Sequence, residues 1–175
     1  ILKKKNNTVI NIDKLIYPES KKIIKEFSSN KSHKFFKIDI CNHKKIRNII
    51  FKFKPDKIIH LAAESHVDSS IFEPEKFIRT NVFGTMNLLN CAYSYWKKLD
   101  KLSRKKFIFH HISTDEVYGS ISNKKFFDEN SKYNPNSPYS ASKASSDHLV
   151  RAWNRTYGLP TIITNCSNNY GPYQF

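Results

Sequence analysis

A chain of 175 residues that is 39% hydrophobic and 14% aromatic is long enough to bury a core and too apolar for disorder, so one compact domain is expected. Its cysteines, Cys41, Cys91 and Cys166, are widely spaced and odd in number, which excludes a disulfide framework and a CxxC metal knuckle and fits a reducing, cytoplasmic setting. The formal charge of +15 raises nucleic acid as a partner, but residues 61–75 carry four carboxylates and no Lys or Arg, and Lys dominates over the Arg that bidentate phosphate recognition favours.

Nucleic-acid binding is therefore not expected, and the basic segments read as solvated helix faces. No apolar run approaches the roughly 20 residues of a membrane span, and the N-terminus is too poor in apolar residues for a signal peptide. Residue 1 is Ile and the only Met is Met86, so the chain is expected to begin inside a longer one.

Short apolar runs alternate with longer amphipathic stretches, the pattern of successive βα units and a mainly parallel sheet. In chain order the sequence predicts a strand over 8–12, a helix over 18–28, a strand over 34–38 and a helix over 43–53. A strand over 57–62, a helix over 73–98 and a strand over 106–113 follow. A polar loop over 120–136 then leads to a helix over 140–157 and a last strand over 160–165. The last helix is the best defined: Ser137-Pro138 is a start signal, Leu149, Trp153 and Tyr157 recur on one face, and Gly158 followed by Pro160 is a stop. No repeat or linker divides the chain.

Tyr139 and Lys143 are four residues apart, so on a helix they share a face about one turn from each other. An ammonium beside a phenol favours the phenolate, and such a Tyr can take a proton from a hydroxyl while hydride leaves the same carbon. The bare YxxxK spacing also fits an exposed surface pair. Thr114, Asp115 and Glu116 follow the apolar run 107–112, at the carboxyl end of a predicted strand, where open α/β sheets place ligands. Two adjacent carboxylates there can divide acid and base roles if their environments push their pKa values apart. A solvated turn ending at Gly119 is the plainer alternative.

Three further clusters fit a dinucleotide site. Asp13 closes the first strand, as an acid would that hydrogen-bonds an adenosine ribose. Asp39-Ile40 ends the second, and Leu61-Ala62-Ala63-Glu64-Ser65 ends the third with small residues that let a cofactor approach the backbone, or that serve helix packing. The seven histidines form no ligand set, so no metal is expected.

On residues 11–15, 60–68, 80–81, 110–119, 137–157 and 164–172 the chain resembles the extended short-chain dehydrogenase/reductase family, in its dTDP-glucose 4,6-dehydratase branch. The resemblance covers essentially the whole chain, and the Asp-Glu pair after Ser-Thr separates that branch from epimerases and GDP-mannose dehydratases. It implies an α/β Rossmann-like, doubly wound parallel sheet, with NAD as cofactor and the nucleotide sugar dTDP-glucose as substrate. A cytoplasmic homodimer is implied as well.

By resemblance, Tyr139 takes the proton of the sugar 4-hydroxyl as C4 loses hydride to NAD, and Lys143 lowers the phenol pKa and binds the nicotinamide ribose. Glu116 removes the C5 proton, Asp115 protonates the departing C6 hydroxyl, and the hydride returns to C6, giving dTDP-4-keto-6-deoxyglucose. Thr114 lies near the 4-oxygen, and Ser65 and Asn168 touch substrate. Asp13, Lys14, Leu15, Asp39, Ile40, Leu61, Ala62, Ala63, Thr80 and Asn169 line NAD.

The family opens with a strand and a GxxGxxG turn that holds the pyrophosphate. Here the glycines are Gly84, Gly119, Gly158 and Gly171 only. Residues 1–175 are thus expected to form a partial NAD-binding domain that carries the catalytic residues, without its first strand and without the substrate domain. In the 3-2-1-4-5-6 strand order the first strand lies between the second and the fourth, so strands 8–12 and 57–62 are expected to lose their shared neighbour. A truncated, non-catalytic remnant is the alternative reading, and an epimerase or GDP-mannose dehydratase a further one.

Overall fold

A computed structural model describes residues 2, 7–121 and 126–171. Five strands alternate with helices: β1 (Val9–Asp13), α1 (Pro18–Glu26), β2 (His33–Lys37), α2 (His43–Phe53), β3 (Lys57–His60), β4 (Ile108–Thr114) and β5 (Thr161–Cys166), with the helices between β3 and β5 given below. All the pairings are parallel, but they form two sheets, β1-β2 and β3-β4-β5. Among the described residues β1 pairs with β2 alone and β3 with β4 alone. The sheet is divided where the sequence predicts a missing neighbour, which leaves backbone donors and acceptors unpaired along one edge of each strand.

Between β3 and β4 lie α3 (Val67–Phe72), α4 (Pro74–Phe77), a π-helical stretch Ile78–Gly84, α5 (Thr85–Trp96) and α6 (Lys101–Lys106). The single helix expected over 73–98 is therefore interrupted, and α3 and α6 have no counterpart in the sequence reading. Both are six residues long, too short for a periodic signal. α6 is set by its cap: the Asp100 carboxylate accepts from the amides of Leu102 and Ser103 at 2.9 and 3.0 Å. The third strand stops at His60, two residues short of expectation, because its ladder to β4 ends with the His60–His111 pair.

After β4 a 3-10 turn, Asp115–Tyr118, precedes the polar loop, of which residues 122–125 lie outside the described set. α7 (Pro138–Tyr157) starts at a capping box in which Ser137 and Ser140 exchange side chain to backbone hydrogen bonds at 2.9 and 3.0 Å. No described helix is long and apolar enough to cross a membrane.

One core joins α2, α5, α7 and β4, built on Ile46, Ile50, Leu89, Ala92, Tyr95, Phe107, Phe109, Val150 and Leu159. Burying each large side chain stabilises by about 1.5–3 kcal/mol. Ile59 and Ile162, at the same register level across β4, are 43% and 45% exposed, so these helices cover one face of the three-stranded sheet.

Gly119 ends the 3-10 turn at φ 85°, and a Cβ there would lie 2.3 Å from the Asn134 carbonyl oxygen. That contact is backbone, held by the Asn134 amide donating to Val117 O at 2.9 Å, so it cannot yield cheaply. Gly119→Ala is expected to cost about 2 kcal/mol or more of stability in urea unfolding; a loss below about 0.5 kcal/mol would show that the loop moves freely.

Candidate active site

Parallel strands bring their carboxyl ends to one edge, and the predicted residues gather there in two groups. At the end of β1 the Lys14 ammonium pairs with Asp39 at 3.2 Å, Asp13 accepts from the Leu15 amide, and Leu15 takes φ 59°. Asp39 also accepts from the Cys41 amide at 2.8 Å. Against burial, which raises it, the Cys41 hydrogen bonds and the Lys14 charge hold the Asp39 carboxyl below its ordinary value. Ile40 sends its side chain into the core and its carbonyl accepts from Asn87, so a contact with a ligand would be through its main-chain amide.

The second group stands on β4 and α7. Thr114 ends the strand and caps the 3-10 turn, its hydroxyl accepting from the Glu116 amide at 3.3 Å and lying 3.4 Å from the Asp115 carboxylate. The turn sets Asp115 and Glu116 near enough to Tyr139, on the first turn of α7, for both charges to act on its phenol. Burial and then the Asp115 charge raise the Glu116 pKa, which makes Glu116 a stronger base than an ordinary carboxylate.

The phenol itself differs from the reading by resemblance. Burial, then Glu116, raises the Tyr139 pKa, while a Thr114 hydrogen bond lowers it, and Asp115 and Asp147 add to the rise. Lys143 lies one turn on, buried, with its ammonium donating to Ile112 O at 2.8 Å. The ammonium therefore works here as a strut between α7 and β4, and the phenol is not held low by it.

The remaining predicted residues rim the same edge. Leu61 is exposed, Ala62 and Ala63 are half-buried, Ser65 is exposed, and Thr80 is half-buried on the π-helical stretch. Asn168 and Asn169 follow β5 and are exposed. Among the described residues no group of three or more His, Cys, Asp and Glu side chains is placed to hold a metal ion.

Two residues without a predicted role hold the site together. Asn81, 1% exposed, accepts from the Glu64 amide at 2.8 Å and donates to Glu64 O at 3.0 Å and to Ser142 Oγ at 2.8 Å, while its own carbonyl accepts from Ser146 at 2.7 Å. It thus ties the loop after β3 to α7 from within a π-helical stretch, a feature common at functional sites. Helical periodicity carries no signal for that insertion. The second residue is Asp147, whose spacing of four from Lys143 places it on the face that already carries Tyr139 and Lys143.

A parallel α/β sheet with a Tyr-Lys pair and two carboxylates at its carboxyl edge defines a Rossmann-fold protein of the dehydrogenase/reductase type. A family profile described as GDP-mannose 4,6 dehydratase matches residues 1–175, and the chain belongs to that family. It is 51% identical over all its residues to a curated Neisseria meningitidis protein named dTDP-glucose 4,6-dehydratase, of which it covers 50%. The chain thus spans about half the length of such relatives. Its structure resembles that of a Streptomyces venezuelae dTDP-glucose 4,6-dehydratase solved with NAD, at TM-score 0.84 and 42% identity over 96% of this chain and 48% of that one. It also resembles a Thermotoga maritima UDP-glucose 4-epimerase, at TM-score 0.82 and 26% identity over 99% of this chain and 52% of that one, so the fold alone does not separate dehydratase from epimerase.

Asn81→Ala leaves the amide and carbonyl of Glu64 without partners in a buried site, and each buried unsatisfied group costs about 1–3 kcal/mol. Urea unfolding of that variant is expected to show a loss of about 2–4 kcal/mol. A loss under 1 kcal/mol would mean that the clamp is dispensable.

Proposed function

We propose that these residues carry the reacting groups of an NAD-dependent dTDP-glucose 4,6-dehydratase and form part of its cofactor-binding domain, the substrate domain lying outside them. The observation that supports this most is the convergence of Tyr139 with Asp115 and Glu116 on one strand end, since an epimerase acting through Tyr and Lys has no need of a carboxylate pair for elimination.

Asp13, Lys14 and Asp39 would hold the adenosine ribose of NAD, and Tyr139, Lys143 and Thr80 its nicotinamide end. Leu61, the small Ala62 and Ala63, and Asn169 would line the cofactor. The groups present fit both ends of NAD, and the glycine-rich cradle for its pyrophosphate is not in this sequence. Bound NAD would supply a transient hydride acceptor at C4 of the sugar.

Thr114 holds the 4-oxygen while Tyr139 takes the hydroxyl proton. Burial and the Glu116 charge disfavour the phenolate and the Thr114 hydrogen bond favours it; a positive charge on a bound cofactor would favour it further. Glu116, made more basic by burial, takes the C5 proton, and Asp115 gives a proton to the leaving C6 hydroxyl. Ser65 and Asn168 bound the space for the sugar nucleotide. A homodimer fits the exposed apolar side chains of α3 and the stretches after it, Ile71, Phe72, Ile78 and Phe83.

Among the described residues the sheet is divided between β1 and β3, so the 175 residues are tested within a longer chain. The test is a chimera in which they replace the matching half of the Neisseria meningitidis relative, the rest of that protein being kept. Such a chimera is expected to dehydrate dTDP-glucose, and Tyr139→Phe to lower turnover at least about a thousandfold. A folded chimera without dehydratase activity, or near-normal turnover of the Phe variant, would contradict the assignment.

A further inference from the structure

Asp147 lies two turns beyond Tyr139 on α7 and is 1% exposed, yet it takes no part in the chemistry proposed above. A carboxylate this deep is costly unless its oxygens are satisfied. One oxygen accepts from Ser113 Oγ at 2.8 Å, from Tyr133 OH at 3.0 Å and from Asn165 Nδ2 at 3.4 Å. The other lies 3.2 Å from His111 Nε2, in a contact too poorly aligned for a hydrogen bond. The partners come from β4, β5 and the loop before α7, so this one side chain fastens the helix to the two strands beneath it. Asn165 also donates to Thr114 O at 3.2 Å, which carries the fastening to the strand end where the reacting groups stand.

We infer that Asp147 is a positioning residue: it seats α7 on β4 and β5 and supplies the buried negative charge that keeps the Lys143 ammonium against the Ile112 carbonyl. This rests on the reading of Tyr139 and Lys143 as the redox pair.

Several groups face this pair from neighbouring elements. His111 stands on β4, and His60 on β3 stacks 5.0 Å from it, centroid to centroid. Burial lowers both imidazoles; nearby positive charge adds to the fall at His60, while at His111 the Asp147 carboxylate opposes it ahead of the Lys143 charge that adds to it. Tyr133 faces from the loop, Tyr118 from the 3-10 turn and Cys166 from β5. Burial lowers the Lys143 pKa, and Asp147, ahead of Cys166, opposes that fall. The same Asp147 charge helps to raise the Tyr139 phenol, so its removal moves both groups.

The test is Asp147→Asn in the 175-residue chain, with folding checked by circular dichroism and the Lys143 and Tyr139 side chains titrated by carbon-13 NMR. Both midpoints are expected to fall, that of Lys143 by about one pH unit. A merely structural role predicts the opposite sign for the lysine, because loosened packing admits water and lets its pKa rise. An unchanged or raised Lys143 midpoint therefore overturns the inference. If the Asn variant does not fold, Asp147→Ser, which leaves room for a water in place of the carboxylate, is titrated in its stead, and the Lys143 midpoint is again expected to fall; no change or a rise there overturns the inference equally. The titrations need neither cofactor nor turnover, so this inference and the proposed activity fail separately.

Discussion

α7 buries a polar face. Ser140, Ser142, Lys143, Ser146 and Asp147 are all inaccessible on a helix that packs against β4 and α5, so the helix can seat only where each of them finds a partner. Apolar packing through Val150 alone would tolerate a small slide or rotation. Hydrogen bonds from Lys143 to Ile112 O, from Ser113 to Asp147 and from Ser146 to Asn81 O do not, because a shift of an ångström breaks all of them together. The distance between the Tyr139 phenol and the carboxylates after β4 is set by that register.

Irregular backbone does the rest of the placement. The π-helical stretch turns Asn81 toward Glu64 and Ser142, and a regular helix through 78–84 would rotate that side chain away from them. The 3-10 turn after β4, capped by Thr114 and ended at Gly119, points two successive carboxylates into one site, where a continued strand would send them to opposite faces. Regular elements give the site its rigidity, and their two interruptions give it its geometry.

The strands, α2 and α7 were legible in the sequence to within two residues at most ends, because apolar periodicity, the Ser137-Pro138 start and the Gly158 stop are local signals. The grouping of Tyr139 with Lys143 and of Asp115 with Glu116 in the candidate site was legible for the same reason: their spacing is short. What was not legible depends on contacts distant in sequence. Asn81 reaches 17 residues back to Glu64 and 61 forward to Ser142. Asp147 reaches 34 residues back to Ser113. The Ile40 side chain is buried by the close approach of Gly84, 44 residues on, which its place at a strand end does not reveal. The direction of the Tyr139 shift was likewise hidden, because spacing from Lys143 says nothing of burial or of where the ammonium points.

Oxidation at C4 and elimination across C5 and C6 in one site on one sugar is the central claim, and the fate of the C4 hydrogen tests it most directly. The chimera described above, given dTDP-glucose with deuterium at C4, should yield a 4-keto-6-deoxy sugar with that deuterium at C6. Deuterium returned to C4, as in an epimerase, or absent from the product, would contradict the account.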